Sequence, residues 1–231
     1  MSYLDHCKYR GFDGIAIVCT DFYTSEVLEL VRSNIPTVTL DHLFNNVCAV
    51  MSDNINGMKD LLTYVYKKGH RKVAYIHGAD SAVTQSRLAS FYRTAAQLGL
   101  EIPDEYICNA AYRDTEKTYT ETIRLLDLDN PPTCILYPDD FAAFGGINAI
   151  RDKGLRIPED ISVAGYDGIR LARHIEPTLT TLWQDTKQLG QKAGEKLINL
   201  IENPKTTLIE QIIVEGHVYE GNSVADINDR T

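Results

Sequence analysis

Basic residues are scarce: 23 Lys and Arg face 32 Asp and Glu, a formal charge of −9 over 231 residues. A chain this acidic has no cation excess with which to neutralise phosphates, so by itself it is not expected to grip DNA. Long apolar runs are missing as well. Residues 15–19 and 133–137 are strand-length stretches, far short of the ~18 apolar residues that read as a membrane span. The first eight residues, Met1 to Lys8, hold no apolar core, so no secretory signal is expected. Cysteine is limited to five scattered positions, an odd number that argues against a disulfide scaffold and for a reducing, cytoplasmic setting. No Gly/Ser or Pro-rich linker and no low-complexity tract interrupts the chain.

Catalytic signatures are absent too. No P-loop, G-x-G-x-x-G, G-x-S-x-G or H-E-x-x-H pattern occurs, and neither the six histidines nor the cysteines show metal-ligand spacing. No cofactor, metal or catalytic residue is therefore expected. The Asp139-Asp140 pair invites an acid/base reading, but it lacks an activating partner at recognisable spacing. Adjacent side chains at a strand-to-helix turn point apart, which suits one facing a cleft and one capping the helix.

What the sequence does contain is a repeated strand-then-helix rhythm. Ile15-Ala16-Ile17-Val18 is an uninterrupted apolar run, as expected of a strand covered on both faces. A helix over about 25–32 follows, with Ser25 as its cap. Val38-Thr39-Leu40 is the next strand. From Asn54, Met58, Leu61, Leu62 and Val65 recur at helical spacing until Gly69 stops the helix. Strands are expected at 73–76, 106–108, 134–137 and 161–164. Helices follow around Leu88–Ala95, Tyr119–Leu126, 141–153 and Leu189–Leu200. Helices of this length between short apolar strands imply right-handed crossovers and parallel sheets, an α/β protein.

In open parallel sheets, ligands bind beyond the carboxyl ends of the strands, where crossover loops and helix N-termini gather. That rule selects Thr20-Asp21, residues 77–86, residues 109–114, Pro138-Asp139-Asp140 and Tyr166-Asp167-Gly168. These loops collect Asp80, Ser81, Arg87, Tyr112, Arg113, Asp139 and Asp167. Carboxylates accept from hydroxyls, a guanidinium donates in a fixed fork, and rings offer a flat face, so the set suits a small polar ligand. Any one of these aspartates could instead cap a helix; the whole set is harder to explain that way.

Two blocks carry a resemblance. The first is Gly69-His70-Arg71-Lys72-Val73-Ala74-Tyr75-Ile76-His77-Gly78 followed by Arg87-Leu88-Ala89-Ser90-Phe91. The second begins Pro132-Thr133-Cys134-Ile135-Leu136, passes through Asp139-Asp140-Phe141-Ala142-Ala143-Phe144-Gly145 and Ile161-Ser162-Val163-Ala164-Gly165-Tyr166-Asp167, and ends at Pro177-Thr178-Leu179-Thr180-Thr181. In this order and spacing the chain, from about Gly11 on, resembles the effector-binding core of LacI/GalR-type transcriptional regulators.

The resemblance implies a two-lobed, periplasmic-binding-protein-like fold. One lobe would comprise 1–69 plus 185–212, the other 70–184 plus 213–221, with 222–231 as a tail. An effector between the lobes would act on a bistable hinge. Carried over residue by residue, the ligand contacts are Arg87, Asp139, Asp167, Gln184 and Asn56, with Ser81, Tyr112 and Trp183 beside them. Dimer contacts would draw on Phe141, Phe144 and Ile169. The implied partners are a small-molecule effector such as a sugar, a second copy of the chain, and operator DNA reached through an N-terminal domain that this sequence does not contain.

Three departures from the family pattern matter. Asp139 stands where the family has Asn, and with Asp167 it makes the site more acidic, which favours a neutral or amino-bearing ligand over an acid. Gly168 replaces a second Asp. The N-terminal lobe lacks its usual start, so residues 15–18 are expected to form a sheet edge. The competing reading is a periplasmic-type sugar carrier, which the absent leader and unpaired cysteines disfavour.

Overall fold

The computed structural model describes residues 1–19 and 21–228; Thr20, one of the loop residues selected above, lies outside them. In chain order the elements are α1 (Tyr3–Arg10), β1 (Ile15–Ile17), α2 (Ser25–Val31), β2 (Thr37–Leu40), β3 (Cys48–Ser52), α3 (Asn54–Lys67), β4 (Val73–His77), α4 (Ala82–Gln97), β5 (Ile107–Asn109), α5 (Thr115–Leu126), β6 (Cys134–Leu136), α6 (Asp140–Asp152), β7 (Ser162–Asp167), β8 (Thr180–Trp183), α7 (Thr186–Glu202), β9 (Gln211–Val214) and β10 (His217–Tyr219). The α/β alternation read from the sequence is present throughout. No helix among the described residues is long and apolar enough to cross a membrane.

The chain divides into two units. The first joins Met1–Asp53 to Asp185–Glu215. Its parallel sheet has the order β1-β2-β3-β9, which leaves β1 at an edge, as expected for residues 15–18. Leu4, Cys7, Ile17, Phe22, Val27 and Leu30 form one apolar cluster with α1 and α2. Val38, Cys48, Val50, Leu189, Ala193, Leu200 and Val214 form another with α7. The cap of α2 is Thr24, whose hydroxyl accepts from Val27 N at 3.4 Å, so Ser25 is the first helical residue.

The second unit joins Asn54–Gln184 to the segment from Gly216 onward. Its six strands run β10-β8-β7-β6-β4-β5, all parallel except β10, which pairs antiparallel with β8. Side chains alternate across the sheet. Val73 and Tyr75 of β4 point into a core with Met58, Leu61, Leu62, Val65 and Phe91, whereas Ala74 and Ile76 point into the opposite core with Leu125, Ile147 and Ile150.

This packing moves the domain division expected from the sequence. The boundary lies at 53–54 rather than at 69, because the apolar stripe of α3 is buried in the same core as β4, Tyr166 and Leu182. The last crossing falls at Gly216 rather than at 213. Nor are residues 222–228 a loose tail. Ser223 is fully buried; its hydroxyl donates to Val163 O at 2.7 Å and accepts from Thr180 N at 2.8 Å.

Candidate binding site

Arg87 is the centre of the site. It sits on α4, whose N-cap is Ser81, and it is only 3% exposed. Its Nε donates to Asn54 Oδ1 at 2.8 Å and its Nη1 donates to the Pro138 carbonyl at 2.9 Å. The guanidinium carbon lies 3.5 Å from the Tyr166 ring centroid and 5.9 Å from that of Tyr112. The first helix turn of α3, the loop after β6 and the end of β7 therefore all converge on one side chain, at the carboxyl end of the sheet where crossover loops gather.

Tyr112 is fixed by two neighbours. Its ring lies so close to Gly78 that a Cβ there would meet it at 2.4 Å. Its hydroxyl is 2.8 Å from Thr84 Oγ1, and the Thr84 hydroxyl in turn donates to Ala79 O at 2.6 Å. Thr84 has spent its only proton, so Tyr112 is the donor to it. The Ser81 hydroxyl caps α4 by accepting from Thr84 N at 3.1 Å, a structural duty that sequence reasoning did not separate from ligand contact.

The three aspartates occupy different states. Asp139 is the N-cap of α6 and is 1% exposed; its Oδ1 accepts from Ala142 N and its Oδ2 from Arg113 N, both at 2.8 Å. Asp140, fully buried, accepts from Thr181 Oγ1 at 2.6 Å and from Ile169 N at 2.7 Å. Burial pushes its carboxyl up to about 7, against the lowering effect of those hydrogen bonds. Asp167, at φ 107, accepts from Gln184 Nε2 at 2.5 Å. Burial raises its carboxyl to about 6, the charge of Asp139 adds to the rise, and Arg87 and Arg113 oppose it.

Of the residues expected from the sequence, Arg87, Tyr112, Asp139, Asp167 and Gln184 therefore lie in one connected set, with Asp167 linked electrostatically to both Arg87 and Asp139. Asn56 is exposed on α3; Asn54, two residues earlier, is the one that holds Arg87. Trp183 pairs in register with Asp167 across β7 and β8. Its ring meets His217 edge-on at 4.7 Å, and its Cδ1 would lie 2.1 Å from a Cβ at Gly168. That contact, with φ +72, leaves no room for a side chain at Gly168.

Sequence reasoning missed Asn54, the Pro138 carbonyl and the Tyr166 ring. Tyr166 was visible as the residue before Asp167, but its use as a platform depends on the side of β7 that it occupies. Phe141, on α6, is 38% exposed and meets Phe144 edge-on at 6.0 Å, while Ile169 is partly buried against the core. No group of three or more metal-ligating side chains occurs among the described residues.

Residues 62–224 match the periplasmic binding protein-like domain family. Among curated relatives, a protein of Bacillus subtilis (strain 168) named a probable HTH-type transcriptional repressor, ExuR, is 32% identical over 84% of this chain. The HTH-type transcriptional repressor PurR of Klebsiella pneumoniae (ATCC 700721) is 30% identical over 97% of it. The chain spans 60% of the length of the first and 67% of the second. Among solved structures, a LacI-family regulator from Enterococcus faecium with bound ribose is similar at a TM-score of 0.85 and 25% identity, covering 97% of this chain and 84% of that one. A regulatory protein of the same family from Chloroflexus aggregans matches at a TM-score of 0.85 and 24% identity, over 96% and 80% of the two chains.

Proposed function

The chain belongs to the periplasmic-binding-protein-like domain family, with the cores of LacI/GalR-type regulators, and from that premise we propose that it is the effector-binding and dimerising core of a cytoplasmic transcriptional regulator whose effector is a sugar or sugar derivative. The observation that carries this reading is the buried Arg87, held by Asn54 and Pro138 and faced by Tyr112 and Tyr166, with Asp167 close enough to feel its charge. A fixed donor fork beside flat rings and a carboxylate is the equipment a polyhydroxylated ligand needs. The ribose bound to the Enterococcus faecium relative supports a sugar-like effector.

The exposed Phe141, with Phe144 beside it, is proposed as part of a homodimer contact, together with Ile169. Operator binding is assigned to a basic segment outside this sequence, since the chain itself carries a charge of −9. A ligand that binds only the folded state raises the melting temperature, so a thermal-shift screen of this chain against monosaccharides and their derivatives tests the effector reading. No shift with any of them at millimolar concentration would sink it. Loss of a dimer mass on Phe141→Asp, measured by light scattering, tests the contact.

A further inference from the structure

The outward face of α7 carries residues for which the fold of the chain has no use. Leu189, Ala193, Lys196 and Leu200 bury one side of this helix. Lys187, Gln191, Gly194, Ile198 and Glu202 follow the helical period along the opposite side, flanked by Gly190 and Glu195, and all of them are exposed. Ile198 is 54% exposed within that stripe. Glycine inside a helix is destabilising relative to alanine, a cost that close packing ordinarily accounts for. No such packing exists here: a Cβ at Gly190 or at Gly194 would meet nothing within 4 Å.

The charges at the two ends of the stripe are equally unaccounted for. Lys187 lies in the first turn of α7 and Glu202 in the last, the reverse of what the helix dipole favours. Neither makes an ion pair among the described residues.

A second α7 laid antiparallel on the first answers all three features. With a two-fold axis beside Gly194, Lys187 of each copy faces Glu202 of the other. Ile198 of each copy then reaches the gap over Gly190 and Gly194 of the other, where the missing side chains let the backbones approach closely. The opposed helix dipoles attract as well. Each half thus presents what the other receives, the self-complementarity that a two-fold contact requires. We propose that the outward face of α7 is a docking surface for a second copy of this chain, joined through antiparallel α7 pairing. This contact belongs to the first unit, whereas the Phe141 contact proposed above belongs to the second, so the two are independent.

Sedimentation equilibrium over a range of protein concentrations tests the proposal, with thermal melts to show that each variant is folded. Phe141→Asp, which removes the other contact, should still dimerise. Adding Ile198→Asp should weaken that dimer about tenfold or more, as for a central apolar contact. In the Phe141→Asp background, Lys187→Glu and Glu202→Lys should each weaken association about fivefold, and the two together should restore it, because the swapped charges again face their opposites. A mass unmoved by Ile198→Asp would overturn the proposal and leave the face to a different partner. So would a charge-swapped double variant no better than the single ones. If Phe141→Asp is monomeric while the unaltered chain is dimeric, the α7 contact falls and the Phe141 contact stands. An unaltered chain that is monomeric throughout would overturn both.

Discussion

The guanidinium of Arg87 stands over Tyr166, its central carbon 3.5 Å from the ring centroid, while its Nε and Nη1 are anchored on Asn54 and Pro138. The stack and the two bonds fix the plane of the fork before any ligand arrives. A fork fixed in advance loses little rotamer entropy on binding, and that preorganisation favours affinity.

Lysine cannot reproduce this geometry. Its ammonium is a point charge that cannot stack flat or bond in two fixed directions at once. Arg87→Lys should therefore weaken effector binding by about 1.5–3 kcal/mol, the range for a hydrogen bond to a charged group. Titration calorimetry reads the effect. Retention of wild-type affinity would show that the planar fork is not what the ligand recognises.

The strand-helix alternation, both apolar cores and the loops that build the site follow from apolar runs and helical spacing, which are local properties of the chain. The edge position of residues 15–18 followed instead from the family resemblance, not from any local pattern. What the sequence concealed depends on direction. Asn54 reads as a helix start, and only the packing of α3 against β4 and α4 turns its amide toward Arg87. Asp139 and Asp140 look equivalent on paper; the first caps α6 and the second is enclosed by Thr181 and Ile169. The short strands β3, β8, β9 and β10 were missed; β9 pairs only with β3, far from it along the chain, which no local pattern discloses.

Tyr75 offers a test of a different kind. Its side chain is fully buried and its hydroxyl has no hydrogen-bond partner among the described residues. Burial raises its pKa well above the usual phenol value. An unmet buried hydroxyl costs about 1–3 kcal/mol, so removing it should do no harm. Tyr75→Phe is expected to unfold at the same urea concentration as wild type or a higher one. A clear fall in the midpoint would reveal a partner for the hydroxyl, such as an ordered water.

Gly168 and Trp183 should be inseparable. Gly168→Asp restores the family's residue, yet it places a Cβ against the Trp183 ring at a positive φ that non-glycine residues adopt at a cost. The variant should lose about 1–3 kcal/mol of stability. The emission of Trp183, the only tryptophan, should shift as the ring is displaced. Gly168→Asp combined with Trp183→Leu should recover part of the loss. An additive double variant would show that the two positions are independent.

Asp140 and Asp167 give stability a pH dependence of definite sign. Both carboxyls are raised in the folded protein, to about 7 and about 6, from the ordinary value near 3.8. Between those limits the native state holds more protons than the unfolded chain, so unfolding releases them. The free energy of unfolding then falls as pH rises from about 4 to about 7, by up to about 1.4 kcal/mol per pH unit for each group, and levels off above that range. Asp140→Asn removes one titrating site from a position where burial is the main cause of the shift. Urea midpoints measured from pH 5 to pH 8 should decline more gently for Asp140→Asn than for wild type, with the largest difference between pH 5 and pH 7. Parallel curves would mean that the Asp140 carboxyl is already ionised across this range, its charge sustained by Thr181 and the Ile169 N–H.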